Sequence, residues 1–484
     1  MMQSTNQRCN ALQTSVGLFM HACSAPEEVI EFLAHTGISI SATAINDAVT
    51  SLSKESAWKR RKTGQTLCTA YAVDNVDIEL KHLVPTVDNP DEALVHLTSG
   101  VMLPLNHGVT PADLECSEEL WKKTKDRISE TGTYLVNPDF AELLNIHPEL
   151  EDHPSGMTRR DRFNAWVFLQ TLVLHGPEYF QSFRRDLGEP EVIETIPLSK
   201  TEQVPAEAMD INPSTASGNG DVIVNVLRQG GIGDPLQENG PTGLKGLDDH
   251  VVIVHGDLGT GERIESLQAS RSEESTPWLR FQFVVFVLGL FHLKMACADA
   301  IWRIFIQPLK ARKDTHSLFE HITILRPKET GKIGTKPGFR RMHEVIQHVG
   351  IVTRLECWRK AAKNECGQWG SLEEFAQAKP TWDVLTRIAN KLALEEVADQ
   401  EFSQSRHQPS ELRDKARENY LLQQQYFLLY EEISYAMNSG DIGRVEDCFM
   451  PWVFIFRGCG KHKYASHMMR YLHNVHFVYP ERLK

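Results

Sequence analysis

The segment His250–Arg263, HVVIVHGDLGTGER, constrains the fold of this chain more than any other. Its four consecutive aliphatic residues, Val251–Val254, predict a central strand that is covered on both faces. Glu262–Ser270 then predicts a helix. Between them lies Asp257, a carboxylate that would be costly after so apolar a strand unless it is solvated, hydrogen-bonded or metal-bound. The segment therefore predicts a strand that delivers Asp257 to its carboxyl end, with helix capping as the alternative role.

Two further acids occupy comparable positions elsewhere. The strand-like run Thr66–Asn75 closes on Asp74. Gly440–Phe449 predicts a short helix in which Glu446 borders the apolar face and Asp447 is solvated. The structural alternatives are a turn for Asp74 and a salt bridge for Glu446.

These three acids match a specific chemistry. Phosphodiester chemistry with two hard cations needs carboxylates that converge from different elements. A sheet fixes the direction of an aspartate at a strand end while leaving access to substrate. We therefore predict that Asp74, Asp257 and Glu446 bind Mg²⁺ or Mn²⁺ and catalyse nucleotidyl transfer or phosphodiester cleavage on DNA. The rival hypothesis is a non-catalytic helical interaction or scaffold protein whose acids are structural.

The order of elements defines the expected fold. In a ribonuclease-H-like fold the first strand supplies one acid, the fourth another and a late helix the third, and this order can be laid over the chain. We predict an α/β (mixed α+β) fold: a ribonuclease-H-like core interrupted by two mainly helical insertions, with an N-terminal helical unit. We expect Ala93–Leu105 to form a strand that is interrupted by a turn at Ser99–Gly100. The predicted divisions are a helical unit 1–63, core 64–110, helical insertion 111–194, flexible linker 195–247, core 248–310, helical insertion 311–438 and closing helices 439–484.

The N-terminal residues 24–62 read as helix, glycine turn and helix, the outline of a helix-turn-helix. Its second helix is poor in side chains that read bases, so structural packing is the alternative. A basic run follows, and it is either a DNA contact, a nuclear address or an ordinary solvated helix end. Its residues are Lys59, Arg60, Arg61 and Lys62.

Composition limits the class of protein. With 41% hydrophobic and 24% charged residues the chain is typical of globular proteins, and its net charge of −13 argues against indiscriminate coating of nucleic acid. The longest apolar run, Phe283–Phe291, is too short for a membrane span. Nine cysteines without a Cys-x-x-Cys pair, and no secretory signal, predict free thiols in a reducing compartment, nuclear or cytoplasmic. The sequence is also compatible with a homo-oligomer.

Several blocks of the chain resemble a fungal family catalogued only as domain of unknown function six-five-eight-nine. They include SAPEEVIEFLAHTGISIS, HGDLGTGERIESLQ, GLFHLKM and GDIGRVEDCFMPWVFIFRGCGKHKYASHMM, and the resemblance spans at least residues 17 to 475. The family's copy number and the Asp, Asp, Glu order imply a transposase-derived protein. The resemblance then implies that Asp74, Asp257 and Glu446 bind metal, with Arg263 and His292 as nearby polar support.

The chain also departs from the family pattern. Two glycines of GDLGTGER stand where bulkier residues are expected, which would loosen the turn behind Asp257. The resemblance implies that the family pattern extends beyond Lys484 and that a DNA-binding region is absent at the amino end. A decayed or truncated, inactive copy is therefore also compatible with the resemblance.

Overall fold

The computed structural model describes residues 10–80, 93–127, 140–151, 153–234, 236, 243–314, 317–366, 370–399, 402, 407–409, 411 and 413–484. The chain forms two compact units, each built from two separate segments. The first unit comprises Met1–Glu119 and Thr201–Phe286, and the second comprises Leu120–Lys200 and Val287–Lys484. The finer division expected from the sequence stays a prediction.

The described strands form one five-stranded mixed sheet. They are β1 (Thr69–Leu80), β2 (Ala93–Pro104), β3 (Val204–Pro205), β4 (Val252–Gly256) and β5 (Val284–Leu288). Their order across the sheet is β3-β2-β1-β4-β5. β2 is antiparallel to β1 and to β3, whereas β4 is parallel to β1. The first and fourth strands are therefore neighbours that run in the same direction.

Helices make up most of the rest of the described chain, so the prediction of a mixed α+β fold is confirmed. In chain order they are α1 (Ala11–Ala22), α2 (Glu27–His35), α3 (Ala42–Gly64), α4 (Ser117–Arg127), α5 (Phe140–Leu143), α6 (Arg159–His175), α7 (Ala216–Gln229), α8 (Leu258–Ser270), α9 (Leu290–Phe305), α10 (Leu318–Leu325), α11 (Thr330–Thr335), α12 (Gly338–Cys366), α13 (Leu372–Gln377), α14 (Trp382–Glu395), α15 (Lys415–Ser439), α16 (Ile442–Gly458) and α17 (His462–His473). Short 3₁₀ turns lie at Pro111–Leu114, Glu178–Arg184, Leu309–Arg312 and Pro327–Glu329, and a π-helical turn at Asn474–Val478. Across these described residues, no helix is both long and apolar enough to span a bilayer.

Helices α2 and α3 occupy the segment that the sequence predicts to be helix, turn and helix. Pro26 precedes α2, and Gly37, with a φ of 75°, follows it in the left-handed conformation that glycine adopts easily. Ser41 caps α3, because its Oγ accepts a hydrogen bond from the Ala44 N–H at 3.2 Å. This segment is therefore helix, turn and helix, as expected, and α1 precedes it.

Strand β2 is continuous where the sequence predicts a turn. Gly100 pairs with Val73 in an unbroken antiparallel ladder. A Cβ atom on Gly100 would lie 3.2 Å from both Ala206 Cβ and Val226 Cγ2, so the glycine permits close packing and does not reverse the chain. The predicted turn at Ser99–Gly100 is wrong, because pairing with β1 outweighs the local turn preference of the Ser-Gly pair.

Part of the segment 195–247, predicted as a flexible linker, belongs to the folded core. It contains β3 and α7, and α7 starts at Thr215, whose Oγ1 accepts a hydrogen bond from the Gly218 N–H at 3.0 Å. The apolar side of α7 packs into the core of the first unit with exposures of 1% or less, through Val222, Ile223, Val226 and Leu227. The linker prediction is wrong here, because the polar and glycine-rich first turn of α7 obscures a helical stripe that follows it.

The first unit places both α7 and α8 against the sheet. Tyr71 of β1 and Val254 of β4 point into the same apolar cluster as Ile264 and Leu267 of α8. Tyr71 and Val254 are each 1% exposed, whereas their strand neighbours Ala72 and His255 are half-buried. The alternation of burial along both strands defines a core face and a second, more open face of the sheet.

The second unit is helical and contains two apolar clusters. One is built around Trp452 from α9, α10, α12, α15, α16 and α17. The other is built around Trp358 from α6, α12, α13, α14 and α15, and the Trp358 indole N–H donates to the Phe168 carbonyl at 2.8 Å. The cluster around Trp452 fixes α16, the helix that carries Glu446.

Candidate functional site

Asp257 lies at the carboxyl end of β4, as the sequence predicts, and it also caps α8. Its Oδ1 accepts a hydrogen bond from the Thr260 N–H at 2.7 Å. Helix α8 therefore begins at Leu258, four residues before the predicted start at Glu262. The capping role weighed as the alternative is present, and it leaves the second carboxylate oxygen, Oδ2, for other partners.

Asp74 lies on β1, and its side chain is exposed. Its Oδ1 accepts a hydrogen bond from the N–H of Asn75 at 2.8 Å. It does not end the strand at a turn, since β1 continues to Leu80 and Asp74 pairs with Ser99 of β2. The hydrogen bond leaves Oδ2 of Asp74 for other partners as well.

The register of β1 and β4 indicates how the two aspartates are placed relative to each other. Tyr71 is paired with Val254 and Ala72 with His255. Extended by two residues, this register would place Asp74 next to Asp257, the residue that directly follows β4. Paired residues of neighbouring strands lie on the same face of a sheet, so both acids belong to the open face, opposite the core face of Tyr71 and Val254.

The two residues expected as polar support have other positions. Arg263, on α8, donates from Nε to the Ser214 carbonyl at 3.1 Å and so ties α8 to the segment before α7. His292 is half-buried on α9 in the second unit, with its ring edge-on to that of Phe291 at 6.1 Å. Their proposed supporting role stays a prediction.

The basic run at the end of α3 has partners inside the first unit. The contacts are Lys59 Nζ with Glu202 at 2.6 Å, Arg60 with Glu207, Arg61 with the Gly243 carbonyl at 2.5 Å, and Lys62 above the Trp58 ring at 5.0 Å. Arg60 is only 5% exposed. A contact between this run and DNA would therefore compete with internal interactions, and it stays a prediction.

Glu446 accepts hydrogen bonds from two histidines that are distant in sequence. Its Oε2 lies 2.9 Å from His147 Nε2 and 2.9 Å from His476 Nε2. His147 follows α5, Glu446 lies in the first half of α16, and His476 lies in the π-helical turn after α17. The ligand-type atoms of the three residues are within 4.8 Å of one another. The salt bridge weighed as the alternative for Glu446 is present, with histidines as the partners.

The histidines determine the charge state of Glu446. Burial raises the pKa of the carboxyl, but the hydrogen bonds from His147 and His476 outweigh burial and lower the pKa to about 2. The hydrogen bond with Glu446 raises the pKa of His147 against the effect of burial. Burial and its own hydrogen bond to Glu446 raise the pKa of Tyr471. Glu446 is thus a carboxylate held by three donors.

A cavity of about 380 Å³ adjoins this cluster within the second unit. Its wall combines polar and apolar side chains, among them Glu446, Arg160, Asp447, Gln425, Met450 and Phe454. Glu446 belongs to both the cavity wall and the histidine cluster.

A buried ion-pair network lies next to the cavity. Arg444 and Glu432 are each 1% exposed, and Arg444 Nη1 donates to Glu432 Oε1 at 2.9 Å. Arg160 donates to the second Glu432 oxygen at 3.0 Å and to Asp447 Oδ2 at 2.9 Å. Asp447, expected to be solvated, is half-buried and ion-paired with Arg160.

His147 and His476 were not recognised from the sequence. The chain contains 20 histidines, and these two are separated from Glu446 by 299 and 30 positions. No short-range spacing signal of a metal site exists at such distances. The only local indication in the sequence is that Glu446 lies beside an apolar stripe. A carboxylate at such a position requires hydrogen-bonding or charged partners.

Comparisons with known proteins support a family but no activity. Residues 141–484 match the model of a family of unknown function, DUF6589. The match includes Asp257, Glu446 and both histidines, while Asp74 precedes it. No curated protein and no solved structure shows a significant match. Since the matched range covers well over half of the chain, the protein belongs to the family of unknown function DUF6589.

Proposed function

We propose that the protein carries out metal-dependent nucleotidyl transfer or phosphodiester cleavage on DNA, as a transposase-like enzyme with a ribonuclease-H-like sheet. One observation carries the proposal: β1 and β4 are parallel neighbours in the sheet, and Asp74 lies on β1 while Asp257 directly follows β4. Acids that lie on the first strand and at the end of the fourth can come together only if those strands are close in the sheet. The observed order of the sheet meets that requirement.

The donor set of the two aspartates fits hard divalent cations. Each carboxylate has one oxygen engaged by a backbone N–H, Asn75 for Asp74 and Thr260 for Asp257. The second oxygen of each is left for a ligand, and Mg²⁺ or Mn²⁺ binds such oxygens through one or two carboxylates plus substrate phosphate. Two neighbouring negative charges also favour a bound cation. When bound, the cations would supply Lewis-acid stabilisation of the attacking and leaving oxygens.

The residues of the chain supply orientation. The backbone hydrogen bonds from Asn75 and Thr260 fix the rotation of both carboxylates, and the sheet fixes the separation of the strands that carry them. Such preorganisation is what a two-cation site requires from a protein. The open face of the sheet leaves these carboxylates accessible, since Asp74 is exposed and Asp257 is half-buried.

Glu446 as the third acid stays a prediction. It lies in the other compact unit, where the two histidines occupy its carboxylate. The choice of DNA as substrate rests on the resemblance to transposase-derived proteins. The two-aspartate site is therefore the part of the proposal that can be tested first.

The test compares asparagine variants in a DNA cleavage assay. The full chain is incubated with a labelled DNA duplex and supercoiled plasmid in Mg²⁺ or Mn²⁺, with the variants Asp74→Asn and Asp257→Asn. Asparagine caps helices about as well as aspartate, so Asp257→Asn should keep α8 and lose the charge. We expect each variant to lower the cleavage rate by at least about 100-fold, since removal of a stabilising group for transition-state charge typically costs about 10²–10³ in rate.

Asp77→Asn is the matched control. Asp77 is an exposed acid of the same strand that pairs with His96 at 2.7 Å, and it lies on the opposite face from Asp74. Its cleavage rate should equal that of the unmodified chain. Equal cleavage by the unmodified chain and both site variants, or no metal-dependent cleavage by any of them, contradicts the proposal and favours the non-catalytic scaffold.

A further inference from the structure

We propose that His147, Glu446 and His476 form a binding site for one divalent transition-metal ion of the zinc class. This site goes beyond the proposed function, because it lies within the second unit and its nitrogen donors prefer a different metal from Mg²⁺. Two imidazoles and one carboxylate are a ligand set that suits zinc, iron and cobalt, whereas magnesium prefers oxygen ligands. The inference rests on geometry, burial and the choice of partners.

The geometry requires little change to accept a metal. Both Nε2 atoms lie 2.9 Å from the same carboxylate oxygen, Glu446 Oε2. Zinc–nitrogen and zinc–oxygen bonds of about 2.0–2.2 Å place tetrahedral ligand atoms about 3.3–3.5 Å apart. The nitrogen–oxygen separations would therefore widen by about half an ångström. The ring nitrogens that now face the carboxylate are the atoms that would bind the ion.

Burial makes the cluster a built site. Glu446 is 5% exposed, and the side chains of His147 and His476 are 15% and 22% exposed. The rings of the two histidines meet edge to face at 5.9 Å, so their orientations are restrained before any ion binds. A carboxylate and two imidazoles that converge from three elements into a covered position are preorganised for a cation.

The choice of partner distinguishes Glu446 from other acids of the same unit. Arg160 and Arg444 neutralise Glu432, and Arg354 neutralises Glu431. Arginine is the usual partner for a buried carboxylate, because it is always charged and binds in a planar fork. Glu446 is paired instead with two histidines, which are the commonest metal ligands in proteins.

Tyr471 supplies a supporting contact, and the cavity supplies space. Tyr471 makes a hydrogen bond with Glu446, which would orient the carboxylate in the way that outer-shell partners orient metal ligands. Glu446 also lines the cavity of about 380 Å³. Three protein ligands leave a coordination position for water, the arrangement of catalytic zinc sites.

The experiment measures metal binding directly on the full chain. Zinc stoichiometry and affinity are determined by equilibrium dialysis with metal analysis, and Co²⁺ is added as a probe because its visible absorption reports the ligands. The unmodified chain should bind one Zn²⁺ at this site. His147→Ala, His476→Ala and Glu446→Gln should each weaken zinc binding by at least about 100-fold, and Tyr471→Phe by about 10- to 100-fold.

His343→Ala is the matched control, since His343 is a half-buried histidine of the same unit that hydrogen-bonds Tyr430 at 2.8 Å. It should bind zinc as the unmodified chain does. Circular dichroism of the metal-free proteins checks folding. If an alanine variant is misfolded, His147→Asn and His476→Asn take its place, because they keep a polar side chain of moderate size.

Two outcomes would overturn the proposal. One is that the unmodified chain binds Zn²⁺ and Co²⁺ no more tightly than the double variant His147→Ala/His476→Ala does. The other is that every variant retains full affinity. The Asp74→Asn and Asp257→Asn variants should bind zinc normally, so a failure of DNA cleavage and a failure of zinc binding are distinguishable.

Discussion

Single carboxylates in this protein take their roles from the few atoms around them. Asp257 caps α8 and Glu446 receives two histidine hydrogen bonds, yet both are acids on the border of an apolar element. The sequence placed both residues correctly at such borders. The capping role of Asp257 could be weighed from the sequence because Thr260 is local, whereas His147 reaches Glu446 only after the chain has folded.

The Arg444–Glu432 pair provides a stability prediction at the residue scale. Both groups are buried, and the Arg444 guanidinium also lies over the Phe163 ring at 5.1 Å. Arg444→Ala leaves the Glu432 charge buried with one partner fewer. We expect the free energy of unfolding to fall by about 3–5 kcal/mol. Urea unfolding followed by circular dichroism measures it.

Arg303→Ala is the comparison for this prediction. Arg303 pairs with Asp299 one helical turn away, and both side chains are about two-fifths exposed. Exposed pairs contribute about 0–1 kcal/mol, so this variant should unfold near the midpoint of the unmodified chain. A loss for Arg444→Ala no larger than that for Arg303→Ala would contradict the structural role given to the buried pair.

At the scale of elements, glycine positions separate local from tertiary preferences. The family resemblance led to the expectation that two glycines of GDLGTGER loosen the turn behind Asp257. The structure instead gives Gly261 a packing role, since a Cβ there would lie 2.3 Å from the Phe286 ring of β5. The glycine lets α8 approach β5 closely, and a bulkier residue does not fit without movement.

Gly261→Ala should therefore destabilise the protein although alanine favours helices. Overpacking costs about 1–3 kcal/mol, more than the roughly 1 kcal/mol gained from helix propensity. Gly331→Ala in α11 is the matched change, because no atom lies within 4 Å of its added Cβ. It should leave stability equal or slightly raised. Thermal unfolding measures the stability of both variants. If Gly261→Ala is as stable as Gly331→Ala, the close approach of α8 to β5 is contradicted.

For the whole molecule, the chain leaves and re-enters each compact unit, so neither unit is a continuous stretch of sequence. The sheet is also assembled from separate segments, since β4 pairs with β1 although the two strands are far apart in the sequence. Local patterns predict β1 and β4. The neighbour of each strand follows from strand pairing and from burial of the core face, which involve the entire unit.

Cysteine reactivity provides a test of global folding. Burial raises the pKa values of Cys297 and Cys448 well above the ordinary value, whereas Cys23 is exposed. Since the thiolate is the reactive form, iodoacetamide should label Cys23 in the native protein and the two buried residues only after unfolding. Mass spectrometry of peptides measures the order. Equal labelling rates in the native protein would contradict the packing around α9 and α16.

The sequence by itself determined the strand that ends at Asp257, the N-terminal helices, and the mixed α+β class, because these depend on residue spacing within one element. Only the tertiary structure decided that β1 and β4 are neighbours, that α7 belongs to the core, and that His147 and His476 meet Glu446. The physical reason is range: side-chain periodicity acts over one or two turns, whereas pairing of strands and desolvation of charges depend on residues brought together from distant parts of the chain.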